Sequence, residues 1–290
     1  MRTLRLLFLA LLAGCSTAVP VEPIVPVALP SPTRAVVLPT AAARPTAAAV
    51  ASPAPLPSYG GDISWPSCPI GTPGALPKKQ GKGLPLPGPG AQFVILGLTN
   101  GPGFHANPCL AWEVHRTRGL PTAAYAFLSL PTPAQITRYG GLRNAARAEA
   151  VLNVETLRRS GLSTPIIWID VEPQPYLAPW GKDIAANRVT ILSAREAYRE
   201  AGFATGFYSS DTPWKRITGG LRSTDPTWVT VGPRGRAAAV AKCSAQTFSG
   251  GPAVLAQWWD GPTEDLDLVC PSALRVVSSL FAHVSAAAVR

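Results

Sequence analysis

The chain has 290 residues, 47% of them hydrophobic, with 26 Lys and Arg against 16 Asp and Glu and a formal charge of +10. That length suits one large domain or two small ones. The basic balance suits an anionic envelope polymer or lipid head group, or ordinary solubility, whereas no basic run is interleaved with aromatics, which excludes nucleic acid as the expected partner.

The first residues, "MRTLRLLFLALLAGC", place Arg2 and Arg5 before an apolar run from Leu6 to Ala13. The run is too short to span a bilayer and reads as a secretory signal. It ends in Leu-Ala-Gly-Cys, which resembles the lipobox of bacterial lipoproteins, and this resemblance implies lipidation at Cys15. An exported chain, lipid-anchored to the outer face of the bacterial cell membrane, is expected. From Ser16 to Ser58, ten of 43 residues are Pro, and Ala, Val, Thr and Ser make up most of the rest. No helix or strand period patterns them, so this stretch reads as a disordered Pro/Ala-rich tether, at roughly 3.1 Å per residue where polyproline-like. The expected domains are residues 1–15 (signal), 16–58 (linker) and 59–290 (folded domain).

Eight short apolar runs follow between turn signals: 60–65, 92–99, 122–130, 165–172, 204–210, 226–232, 253–259 and 265–269. Each reads as a strand. Residues 69–90, rich in Pro, Gly and Lys, read as a surface loop. Helical patterns cover 107–119, 144–161 and 183–202, each stopping at a Gly, and one more closes the chain from Pro271. In the third, Ile191, Ala194, Tyr198 and Ala201 share one face. Continuous apolar strands alternating with helices predict an α/β fold, a TIM-like (β/α) barrel irregular near its last strands, with a parallel sheet.

Four Cys fall in the folded part: Cys68, Cys109, Cys243 and Cys270. In an exported chain an even count points to disulfides. Three pairings are possible; Cys68–Cys109 and Cys243–Cys270 join neighbours in sequence order. There is no C-x-x-C and only three His, so a zinc site is not expected, nor any other metal or cofactor. His105, His115 and His283 follow no nucleophile elbow, which argues against a nucleophilic hydrolase.

The chemistry concentrates in "WIDVEP". In a strand, residues two apart share a face, so Asp170 and Glu172 project together. Strand C-termini open at the catalytic face of an α/β barrel. Two close carboxylates shift each other's proton affinity, so one can act as general acid while the other stays ionised, as glycosidic cleavage requires. Asp62 near the end of the first strand and Asp267 near the end of the last are expected at the same mouth. Aromatics in or beside the strands offer faces for sugar rings, two or three of them at the ligand.

In this order, "GGDISW", "WIDVEP", "GFYSSDTPW", "DPTWVTVGP", "AQWW" and "DLDLV" resemble the motifs of glycoside hydrolase family 25, the lysozymes that cleave peptidoglycan. "SWPSC" and "NPCL" further resemble the lysozyme-like domains of exported actinobacterial proteins. The resemblance implies Glu172 as general acid and Asp170 positioning the substrate N-acetyl group or the attacking water. It implies Asp62 and Asp267 as sugar ligands that hold the acids' charge states apart, with Tyr208, Trp258 and Tyr125 lining subsites. The expected activity is N-acetylmuramidase-like hydrolysis of β-1,4 bonds in peptidoglycan or a related wall glycan, by a monomer. The alternative is an inactive glycan-binding lipoprotein with the same barrel, or a structural envelope protein. The segments "SWPSC" and "GPGFHANPC", Val269 and the Pro/Gly insert depart from the family pattern.

Overall fold

Each of the eight apolar runs forms a strand. The computed structural model describes residues 58–74, 80–101, 103–173, 180–261 and 264–283. The signal-like segment, Cys15 and the Pro/Ala-rich stretch up to Pro57 lie outside the described residues. The strands are β1 (Tyr59–Ile63), β2 (Val94–Gly97), β3 (Thr122–Phe127), β4 (Ile166–Asp170), β5 (Ala204–Ser209), β6 (Thr227–Thr230), β7 (Ala253–Trp259) and β8 (Asp265–Val269). They close into a barrel in sequence order.

Neighbours from β1 to β7 are parallel, but β8 runs antiparallel to both β7 and β1. The parallel sheet expected from the sequence holds through β7, and the irregularity expected near the last strands is the reversal of β8. The cause is the connection: only residues 260–264 separate β7 from β8. A parallel crossover needs a dozen residues or more, whereas five suffice for a hairpin. The mouth is thus formed by the C-terminal ends of seven strands and the N-terminal end of the eighth.

Helices α1 (Leu110–Arg116), α2 (Pro133–Arg138), α3 (Leu142–Ser160), α4 (Ile184–Glu200), α5 (Asp211–Thr218) and α6 (Gly235–Lys242) lie between strands. The two long ones, α3 and α4, match their expected spans closely. Asp183 caps α4 by accepting from the Ala185 and Ala186 backbone N–H groups at 2.8 and 3.2 Å. Gly161 ends α3 with φ of +73°, a conformation that costs glycine little. The closing segment forms a 3-10 run, Pro271–Ser279, rather than an α-helix, and it breaks at Val276. Adjacent β-branched Val276 and Val277 are poor helix formers. No described helix fills the β1–β2 connection; a 3-10 turn, Trp65–Ser67, leads into the Pro-rich insert instead.

The barrel interior is aromatic. Trp168 and Trp228 are almost fully buried, and their ring centroids lie 6.1 Å apart at 67°. Glycine makes room for this: a Cβ on Gly206 would sit 2.2 Å from the Trp168 ring. Both expected disulfides form, Cys68–Cys109 and Cys243–Cys270. They close loops with sequence separations of 41 and 27, and each contributes about 3–4 kcal/mol in the chain-entropy view.

Glu149 on α3 is buried, and neither carboxyl oxygen has a hydrogen-bond partner among the described residues. Burial raises its pKa well above the ordinary carboxylate range. The stability it contributes is complete below its unfolded pKa of about 4.3 and is lost as pH rises through the higher folded value. Glu149→Gln is therefore expected to leave Tm unchanged near pH 4. At pH 8 it should stabilise by about 1–3 kcal/mol, read as a Tm rise of roughly 2–10 °C in thermal unfolding. A Tm unchanged at pH 8 would mean that the carboxyl is solvated.

Candidate active site

Three strands bring four acids to the mouth. β4 ends at Asp170, and the backbone stays extended past it, because the Val171 N–H donates to the Tyr208 carbonyl at 3.0 Å. Ser209 Oγ donates to the Val171 carbonyl at 2.7 Å. Val171 turns into the core, so Asp170 and Glu172 share the opposite, cavity face. The Glu172 carbonyl is held by Trp180 Nε1 at 2.9 Å. From β1 comes Asp62, whose backbone partner across the sheet is Asp265 at the start of β8. These four acids line one cavity.

Gln257 on β7 ties the walls together. Its Nε2 donates to Asp62 Oδ2 at 2.7 Å, and its Oε1 accepts from the Tyr208 hydroxyl at 2.6 Å. Tyr125, Tyr208, Trp228 and Trp259 supply the aromatic surfaces of the cavity. Trp228 is the hub, with its ring centroid 4.5 Å from Tyr208 and 5.9 Å from Tyr125. Its Nε1 donates to Asp267 Oδ1 at 2.7 Å.

The electrostatics follow from crowding carboxyls at the mouth of the barrel. Burial, then the charge of Asp265, raises Glu172 to about 7, and the neighbouring Tyr208 hydroxyl pulls it back down. Asp170 is pushed well above the carboxylate range by burial and then by Glu172. Burial also lifts Asp62, followed by the charges of Asp265 and Asp267. Asp267 is raised to about 8 by burial, against the lowering bonds of Asp62 and Trp228. Asp265 is raised by burial. Five such groups titrate as a set and cannot all be anions at neutral pH. Among the described residues, the one group with metal-ligand atoms in mutual reach is Cys68, Cys109 and Glu113, and its two sulfurs are joined to each other.

Five of the seven residues expected at the catalytic and sugar-binding site converge: Asp62, Tyr125, Asp170, Glu172 and Tyr208. Two do not line the cavity. Asp267 lies one layer deeper, because the reversed β8 runs down from the mouth and leaves Asp265 at the rim. Trp258 faces away from the barrel interior; it is buried against Tyr59, with Nε1 3.3 Å from Asp260 Oδ2. The alternation of β7 gives the cavity to Gln257 and Trp259. Sequence reading assigns no role to Gln257 or Asp265, while Trp228 and Trp259 are among the strand aromatics of which two or three were expected at the ligand. The five-residue β7–β8 link and the two-residue period were the signals for Asp265.

Residues 139–234 match the family described as lysozyme-like protein 1. The fold matches the bacterial lysozyme of Streptomyces coelicolor over 77% of this chain and 97% of that one, at TM-score 0.52 and 16% identity. It also matches the muramidase of Trichobolus zukalii, covering 77% and 98%, at 0.50 and 17% identity. A family 25 lysozyme of Aspergillus fumigatus matches over 77% and 98%, at 0.50 and 15%. No curated protein matches the chain in sequence. The barrel described above shares its fold with these lysozymes. The stretch that matches the family runs from the end of α2 to the start of α6. It holds Asp170, Glu172, Tyr208 and Trp228, whereas Asp62, Tyr125, Gln257 and Asp265 lie outside it.

Proposed function

We propose that the domain hydrolyses β-1,4 bonds of peptidoglycan or a related cell-wall glycan. The observation that carries this reading is Glu172, a carboxyl with a pKa near 7 beside three further acids in an aromatic-walled cavity. A carboxyl with that pKa is protonated often enough at neutral pH to donate to a leaving glycosidic oxygen. Asp170 orients the substrate amide or the attacking water. Asp62, fixed by Gln257, and Asp265 hold sugar hydroxyls at the opposite wall. Tyr125, Tyr208 and Trp259 stack on sugar rings. The names lysozyme and muramidase, borne by chains of the same fold, support the substrate class.

The basic N-terminal segment and its Leu-Ala-Gly-Cys end support export and lipidation at Cys15. No described helix is long and apolar enough to cross a membrane. We place the protein outside the cell as a monomer acting on wall polymer.

The test is release of reducing ends from purified bacterial peptidoglycan by the full chain, followed from pH 5 to pH 9. The acid must carry its proton to act, so kcat/KM is expected to fall about tenfold per pH unit above about 7, following Glu172. Binding to the wall without release at any pH would assign the domain to glycan recognition instead.

A further inference from the structure

One hydrogen in the acid cavity has two groups competing for it. Tyr208 carries a single hydroxyl hydrogen, and both Gln257 and Glu172 lie beside that hydroxyl. The bond made in the structure runs to Gln257 Oε1, at 2.6 Å. Glu172 is the rival acceptor, and a bond from Tyr208 favours its anion.

The amide fixes the direction of that bond. Gln257 Nε2 donates to Asp62 Oδ2 at 2.7 Å, which leaves Oε1 for Tyr208, and a carbonyl oxygen can only accept. The hydroxyl hydrogen is thereby drawn to Gln257 and withheld from Glu172. Both side chains are held in place. Tyr208 is buried, its ring centroid is 4.5 Å from that of Trp228, and its carbonyl accepts from the Val171 N–H at 3.0 Å. Gln257 is buried too, and its carbonyl accepts from the Val231 N–H at 3.0 Å. What can still turn is the hydroxyl hydrogen, by rotation about the phenolic C–O bond.

Charge decides when it turns. A protonated Glu172 competes poorly with the amide oxygen, whereas a carboxylate accepts a bond roughly twice as strong as a neutral one. The other titratable groups facing this pair are Asp62 on β1, Tyr125 on β3, Asp170 on β4 and Asp265 on β8, and no basic side chain lines the cavity to stabilise a new anion. Resting on the glycosidase reading of Glu172, we propose that Gln257 is a positioning residue: it holds the Tyr208 hydrogen while Glu172 is protonated and yields it to Glu172 once that proton has passed to the departing glycosidic oxygen. The electrons of the broken O–H bond stay on the Glu172 carboxylate, and Tyr208 remains neutral throughout.

The test follows the Glu172 side-chain carboxyl by carbon-13 NMR in the full chain without glycan, its signal assigned by its loss in Glu172→Gln. Gln257→Met, and separately Gln257→Leu in case one of the two does not fold, frees the hydroxyl for Glu172. The titration midpoint is expected to fall by about one pH unit in either. Tyr208→Phe removes the donor, so there the midpoint should rise by a similar amount. Adding Gln257→Met to Tyr208→Phe should produce no further fall, since the amide acts through the hydroxyl. Loss of packing alone gives no such reversal of sign. An unmoved midpoint in the Gln257 variants, or a fall that persists without the hydroxyl, would overturn the proposal. The titration reads no turnover, so the two readings fail separately. Opposed midpoint shifts without reducing-end release would keep the hydroxyl switch and sink the glycosidase; release with unmoved midpoints would do the reverse.

Discussion

Replacing Glu172 with Gln is expected to lower turnover of wall glycan about 10²- to 10⁴-fold, the usual contribution of a positioned general acid. The amide keeps the shape of the carboxyl and its place beside Tyr208, and the backbone stays fixed through the Trp180 bond to the Glu172 carbonyl. What it loses is the proton that must reach the departing oxygen. Affinity for a non-hydrolysed oligosaccharide should therefore stay within about twofold, so the loss falls on kcat. The Glu172 charge is also one of the two causes that raise Asp170. With Gln at 172, Asp170 ionises at lower pH, and any residual activity should lose the fall near pH 7. Reducing-end release from peptidoglycan and calorimetric affinity, each measured from pH 5 to pH 9, check both parts. Activity within a few-fold of wild type would remove Glu172 from the chemistry and turn attention to Asp170 or Asp265 as proton donor.

Much of this site was legible because period two and barrel geometry are local rules. The strand ending in Asp170 and the extended Val171 fix the paired acids, whatever the rest of the chain does. The disulfides followed from an even cysteine count and from sequence order. What failed was direction and handedness of exposure. Taking β8 as one more parallel strand put Asp267 at the rim, although residues 260–264 are too few for a crossover. Reversing the strand moves the rim acid to Asp265 and sends Asp267 down to Trp228. On β7 the doubled Trp left two choices of face, and only the bond from Gln257 to Asp62 settles that Trp259 is the inward one. Helices α2, α5 and α6, of six to eight residues each, are too short to show a helical period.

Trp228 is expected to be the most costly interior position. It is 1% exposed, touches Tyr125, Trp168 and Tyr208 with its ring, and donates to Asp267 through Nε1. Trp228→Ala should destabilise by about 3–5 kcal/mol, the range for emptying a large aromatic site. Trp228→Phe separates packing from the hydrogen bond. It keeps most of the volume and removes the N–H, which is one of the two bonds holding the Asp267 pKa down. Asp267 titrates near 8 in the folded protein and near 3.9 unfolded. The stability it contributes is complete below the lower value and is lost as pH rises through the upper one. Without the indole donor the folded pKa climbs further, so the loss continues to higher pH. The Phe variant is therefore expected to be close to wild type at pH 6, where Asp267 is protonated in both. At pH 9, where the wild-type carboxylate is ionised and bonded, it should be weaker by about 1–3 kcal/mol. Urea unfolding at the two pH values measures the difference directly. An equal cost at pH 6 and pH 9 would show that the indole acts by packing alone and that Asp267 finds another donor. A cost confined to pH 9 would make Trp228 the residue that sets the charge on the floor of the acid cavity.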